Sequence, residues 1–121
     1  MIGLGIDAVD IERFRQLLAR RPQATERIFT VAERSLLSAR ADPVPGLAAR
    51  FAAKDATMKA LGSGLGGVRF ADVEVFRGGS GAPRLEISGL AASRAEARGI
   101  RSWHVSLTHT DSVATAVVVA D

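Results

Sequence analysis

Apolar residues at 9, 11, 14, 17 and 18 recur at the helical period and predict a helix over residues 9–19. Ahead of it, residues 1–7 alternate apolar positions with glycine and predict a strand with Asp7 near its end. Residues 25–29 predict a short helical turn. Thr30 followed by Glu33 has the spacing of a capping box, so a further helix is expected from there to about residue 39. The Pro-Val-Pro-Gly run within residues 42–46 predicts a break. Residues 47–61 are alanine-rich and predict a helix with Gly62 as its C-cap, followed by a flexible loop over 62–67.

Residues 73–76 and 84–87 predict two strands joined by a Gly/Ser/Pro turn, and residues 90–98 a helix stopped by Gly99. Residues 103–108 and 113–119 predict two more strands, with 109–112 as their hairpin. Alternation places Val105 and Leu107 on one face of the first and Ser106 and Thr108 on the other. His104, between Trp103 and Val105, reads as structural. This mixed order with a terminal hairpin predicts an α+β fold rather than a doubly wound sheet, in one domain over 1–121.

The chain is 47% hydrophobic, enough for a core, but only 5% aromatic, so aliphatic side chains must fill it. It has no cysteine, which excludes disulfides, thiolate metal sites and thiol nucleophiles. The start has no basic region ahead of its apolar stretch, so no signal peptide is expected, and no apolar run nears the roughly 20 residues of a membrane helix. A cytoplasmic protein with no membrane partner is expected. Net charge is +3, and of 16 basic residues only Lys54 and Lys59 are lysine. Arginine suits phosphate and carboxylate, so an anionic partner or a solvated basic surface both fit. Nucleic acid is not expected, since no zinc-ligand set, stacking platform or reader motif occurs.

Four features could carry chemistry. On the alanine-rich helix, Phe51, Asp55, Met58, Lys59 and Gly62 share one face, while Ala52, Ala53, Ala56 and Ala60 form a face suited to close packing. Asp55 and Lys59 could be a routine exposed pair. Asp7 could simply cap the next helix. Together, however, Asp7 and Asp55 could supply two hard oxygen ligands to Mg²⁺, with Lys59 neutralising phosphates, as phosphoryl transfer requires. His109 lies at a strand end, where it is either a bystander or a ligand contact. Arg13 and Arg20 share a helix face and could form a docking stripe for an acidic partner or a solvated face.

The order of these pieces resembles one family. Gly3, Gly5 and Asp7 at the start, Arg13, Phe29 and Thr30 with Glu33, RFAAKDA over 50–56, Lys59 to Gly62, Gly81 to Pro83, and VSLTHT over 105–110 together resemble the holo-acyl-carrier-protein synthases. These are small single-domain 4′-phosphopantetheinyl transferases. The resemblance implies the transferase fold, a small antiparallel sheet against a long alanine-rich helix. It implies transfer of 4′-phosphopantetheine from coenzyme A to a serine of apo-acyl carrier protein, releasing adenosine 3′,5′-bisphosphate, in fatty-acid or polyketide synthesis.

By position, Asp7 and Asp55 would hold Mg²⁺, and Asp55 and Lys59 would be catalytic. Arg50, Lys59, Pro83, His109 and Thr110 would contact coenzyme A, with Gly62, Ser63 and Gly64 shaping its pocket. Arg13, with Arg20, would face the carrier protein, and homotrimers with interfacial sites are implied. One departure stands out: the family pattern at 54–56 is usually Lys-Glu-Ala, and Asp55 here is one methylene shorter, by about 1–1.5 Å. That raises a second reading, a catalytically weakened module that binds coenzyme A or the carrier.

Overall fold

A computed structural model describes residues 1–62 and 66–121. The chain runs β1 (Gly3–Asp10), α1 (Ile11–Arg20), α2 (Gln23–Ile28), α3 (Val31–Ser38), α4 (Val44–Leu61), a 3₁₀ turn (Phe70–Asp72), β2 (Val73–Arg77), β3 (Pro83–Ile87), α5 (Gly89–Ala97), β4 (Trp103–His109) and β5 (Val113–Ala120). The strands form two antiparallel sheets, one ordered β1-β5-β4 and the other a β2-β3 hairpin. The fold is α+β, as the sequence predicts.

Helix α4 is the axis of the molecule. Ala52, Ala53, Ala56 and Ala60 are buried and pack with Ala116, Val118 and Ala120 of β5. Small residues on both sides let the helix lie close to the sheet. A second apolar cluster forms where Phe14 of α1, Phe29 and Leu37 meet Leu47 and Ala48 of α4. Phe14, Phe51 and Phe70 stack in sequence, with ring centroids 5.2 and 5.3 Å apart.

The Thr30 capping box forms as expected. Glu33 N donates to Thr30 Oγ1 at 3.2 Å and Thr30 N to Glu33 Oε1 at 2.9 Å. Two expectations fail. The break at 42–46 is shorter than predicted, because α4 starts at Val44 with Pro45 in its first turn. Proline is tolerated there since first-turn N–H groups have no helical acceptor. Strand β1 also runs past Asp7 to Asp10, held by pairing with β5 down to Asp10 opposite Val113. The cap of α1 is therefore Asp10, which accepts from Arg13 N at 2.9 Å, and Asp7 is left without that duty.

Candidate functional site

Asp7 points to the inner face of the sheet, toward α4, because inward and outward residues alternate along β1. Asp55 and Lys59, one turn apart on α4, meet it there. Lys59 Nζ lies 3.3 Å from Asp7 Oδ1, 3.4 Å from Asp55 Oδ2 and 3.0 Å from the carbonyl oxygen of Ile6. Burial, and then the neighbouring negative charge of Asp55, hold the Asp7 carboxyl above its ordinary value, with Lys59 opposing both. The bond to Asp7 in turn holds the Lys59 ammonium above its own ordinary value.

An open groove of about 450 Å³ runs from this cluster along α1, lined by Asp7, Asp10, Arg13, Arg20, Phe51 and Asp55 among others. The structure thus brings the two carboxylates together with Arg13 and Arg20 on one surface. That pairing of an acidic centre with a basic flank suits a phosphate-bearing reactant and an acidic partner.

The remaining residues singled out from the sequence fall elsewhere. His109 and Asp7 share the inner face of the sheet, but β5 lies between their strands. Thr110 shapes the hairpin, its hydroxyl accepting from Ser112 N at 3.3 Å and Val113 N at 3.1 Å. Gly62 caps α4 at φ 86°, a left-handed conformation suited to glycine. Pro83 opens β3 beside a separate pocket shared with Arg84, Arg101 and Trp103. Ser63 and Gly64 lie outside the described residues.

Arg50 is not brought to the groove. It lies nine residues from Lys59, half a turn out of phase, and is 3% exposed, with Nη1 donating to Gly46 O at 3.4 Å. Its Nε has no hydrogen-bond partner, and burial pushes its pKa down. His104 is not the structural residue expected. Its side chain is 63% exposed, 3.5 Å from Asp121, because Trp103 and Val105 take the inward positions on either side.

One buried group escaped sequence reasoning. Lys54 is fully buried, its ammonium 2.7 Å from Glu33 Oε1 and donating also to the carbonyls of Phe70 and Val73. Glu33 Oε2 accepts from Val75 N at 3.0 Å. Desolvation lowers the Lys54 pKa, with Glu33 opposing it. The signal was a lone lysine among alanines on a helix face with no reason to be wet.

The donor set at Asp7 and Asp55 fits a hard divalent cation: two adjacent carboxylates at the edge of an open groove, with room for water and phosphate oxygens to complete the shell. Among the described residues no group of three or more His, Cys, Asp or Glu is placed to hold a metal ion, so a cation at this pair would take the rest of its shell from water and substrate.

Residues 3–118 match the model of the 4′-phosphopantetheinyl transferase superfamily. The chain is 50% identical to a holo-[acyl-carrier-protein] synthase of Streptomyces griseus, covering 100% of this chain and 98% of that one. The crystal structure of holo-[acyl-carrier-protein] synthase from Neisseria meningitidis superposes with a TM-score of 0.90 at 33% identity, over 100% of this chain and 99% of that one. A Bacillus anthracis holo-(acyl-carrier-protein) synthase in complex with CoA (3′,5′-ADP) superposes with a TM-score of 0.81 at 32% identity, over 98% and 95% of the two chains. With the fold and nearly the whole sequence matched, the chain belongs to the 4′-phosphopantetheinyl transferase superfamily.

Proposed function

We propose that this protein is a holo-acyl-carrier-protein synthase. It transfers 4′-phosphopantetheine from coenzyme A to the acceptor serine of apo-acyl carrier protein and releases adenosine 3′,5′-bisphosphate. Relatives named for that activity, one of them solved with coenzyme A, support the reaction. The observation that carries it to this chain is the groove joining Asp7 and Asp55 to Arg13 and Arg20.

Asp7 and Asp55 would hold Mg²⁺, which supplies charge stabilisation at the diphosphate. The serine oxygen attacks the β-phosphorus as its bond to the departing adenosine 3′,5′-bisphosphate breaks, and the Asp55 carboxylate, open to the groove, would take the hydroxyl proton through a water. Lys59 offsets charge on the departing phosphate. Arg13 and Arg20, both exposed, attract the acidic carrier. Pro83, His109 and Thr110 remain proposed coenzyme A contacts on the family resemblance, while Arg50, buried and away from the groove, does not.

The same resemblance supports a homotrimer, and so does the outer face of the β1-β5-β4 sheet. Leu4 and Ile6 are 56% and 60% exposed there, opposite Val119 and Val117. A sheet face this apolar suits a second copy of the chain. The whole chain, 1–121, acts as one domain, in the cytoplasm, and serves fatty-acid synthesis. Among the described residues no helix is long and apolar enough to cross a membrane.

Intact-mass measurement tests the reaction. Coenzyme A, Mg²⁺ and apo-acyl carrier protein should give a phosphopantetheinylated carrier, and omission of Mg²⁺ should prevent it. Carriers from fatty-acid and polyketide systems that all stay unmodified would overturn it. Coenzyme A binding without turnover, unrescued by Asp55→Glu, would favour the weakened module instead.

A further inference from the structure

An ammonium has three N–H donors. Lys59 Nζ donates to Ile6 O at 3.0 Å and to Asp7 Oδ1 at 3.3 Å, and forms an ion pair with Asp55 Oδ2 at 3.4 Å. Two of these acceptors belong to β1 and one to α4, so the side chain spans the seam between strand and helix. In this arrangement the Lys59 charge is engaged by β1 and Asp55. It also occupies the charge position between the two carboxylates that the proposed function assigns to a cation. A divalent cation drawn to the same two carboxylates meets the positive charge of Lys59 there and competes with it.

The geometry points to Lys59 as a built-in counter-ion: it clasps Asp7 and Asp55 until a divalent cation displaces it, and the displaced ammonium then turns to the diphosphate. This rests on the reading of Asp7 and Asp55 as cation ligands. Lys59 is suited to the exchange. Its side chain is 52% exposed, it sits in the last turn of α4, and its flexible stem can swing without moving the core. The lysine competes with the cation when no phosphate is present. A diphosphate offers the released ammonium new acceptors, so cation and coenzyme A bind cooperatively, each tightening the other by the same factor.

Calorimetric titration of Mn²⁺ alone tests the clasp. Lys59→Met should bind Mn²⁺ more tightly than wild type, by about two- to fivefold for a half-exposed charge. Coenzyme A should tighten Mn²⁺ binding to wild type more than to Lys59→Met. Equal or weaker Mn²⁺ binding by Lys59→Met overturns the clasp. A second readout needs no variant. The chain has two lysines, Lys54 buried and Lys59 half-exposed, so their side-chain ¹⁵N signals are separable. Saturating Mg²⁺ should move the Lys59 signal and leave that of Lys54 in place; an unmoved Lys59 signal overturns the clasp. The underlying reading has its own control: Mn²⁺ binding no weaker in Asp7→Asn/Asp55→Asn than in wild type would overturn the cation site itself.

Discussion

The backbone of Gly5 in β1 rests directly on Ala56 of α4: a β-carbon added to Gly5 would fall 1.8 Å from the Ala56 carbonyl oxygen. Gly3 repeats the relationship one helical turn on, 2.0 Å from the carbonyl oxygen of Ala60. Two strand residues rise about 6.6 Å and four helix residues about 6 Å, so alternate glycines meet alanines four apart. This close approach is what sets Asp7 beside Asp55 and Lys59.

Gly5→Ala should therefore separate strand from helix. The clash is with backbone, which cannot rotate away, so the expected loss is about 3 kcal/mol of unfolding free energy. Transferase activity should fall further than the folded fraction does, because Asp7 moves away from Asp55. Denaturant unfolding checks the first point and activity per folded molecule the second. A variant as stable as wild type would show that the backbones do not meet this closely.

That contact also shows what the sequence makes legible. The capping box of Thr30 and Glu33, the stop at Gly62 and the 109–112 hairpin follow from local spacing, and all three stand in the structure. So does the small-residue face of α4, since a helical period fixes which residues share a side. What a period cannot fix is the partner. Glu33 reads as a cap, yet its carboxylate also binds Lys54, 21 residues away. Asp7 and Asp55 are legible as acids of the right kind, but their meeting depends on Gly3 and Gly5, which read locally as strand residues only. Arg50 looks available in the sequence because an arginine on a helix is usually wet; here it is buried and donates to Gly46 O of its own helix.

The Lys54–Glu33 pair should be far more costly to break than its exposed neighbour. Lys54→Met leaves a buried carboxylate without its cation and frees the Phe70 and Val73 carbonyls, an expected loss of about 3–5 kcal/mol. Asp55→Asn removes an ion pair with the half-exposed Lys59 and a repulsion with Asp7, so it should change stability by less than about 1 kcal/mol. Unfolding curves for the two variants give the comparison. Similar losses in both would mean that Lys54 is not buried as described.

A pH dependence is expected at Arg15 and Asp42, which join α1 to the approach of α4. Arg15 Nη1 and Nη2 donate to the two Asp42 oxygens at 3.0 and 2.8 Å. These bonds hold the Asp42 carboxyl below its ordinary value of 3.8. A lowered carboxyl pKa adds stability above the unfolded value and loses it as pH falls through the folded one. The difference between wild type and Arg15→Met should thus be constant near neutrality and vanish as pH drops below about 3.8. An NMR titration should find the Asp42 midpoint below 3.8 in wild type and higher in Arg15→Met, where Val44 N still donates to Asp42 Oδ1.

The apolar outer sheet face gives a prediction about assembly. Ile6→Glu places a charge at the centre of that face while leaving the inward residues Gly5 and Asp7 untouched. Light scattering should find a trimer for wild type and a monomer for Ile6→Glu. If the active site lies between subunits, activity should fall with the trimer. A monomeric wild-type protein that is fully active would remove the assembly from the proposed function.

The last prediction concerns the aspartate itself. Asp55 is one methylene shorter than glutamate, yet its oxygen already reaches Lys59 at 3.4 Å, and its charge is felt at Asp7. The tight seat of α4 on Gly3 and Gly5 sets Asp55 beside Asp7, so the short side chain is expected to serve. Asp55→Asn keeps the shape and removes the charge, so turnover should fall about 100-fold or more, as when an electrostatic stabiliser is lost. Asp55→Glu keeps the charge and adds reach, so turnover should change by less than about tenfold in either direction. Single-turnover transfer to apo-acyl carrier protein at saturating coenzyme A distinguishes the two. A large gain in Asp55→Glu would mean that the aspartate falls short of its ligand position and that close packing does not make up the missing methylene.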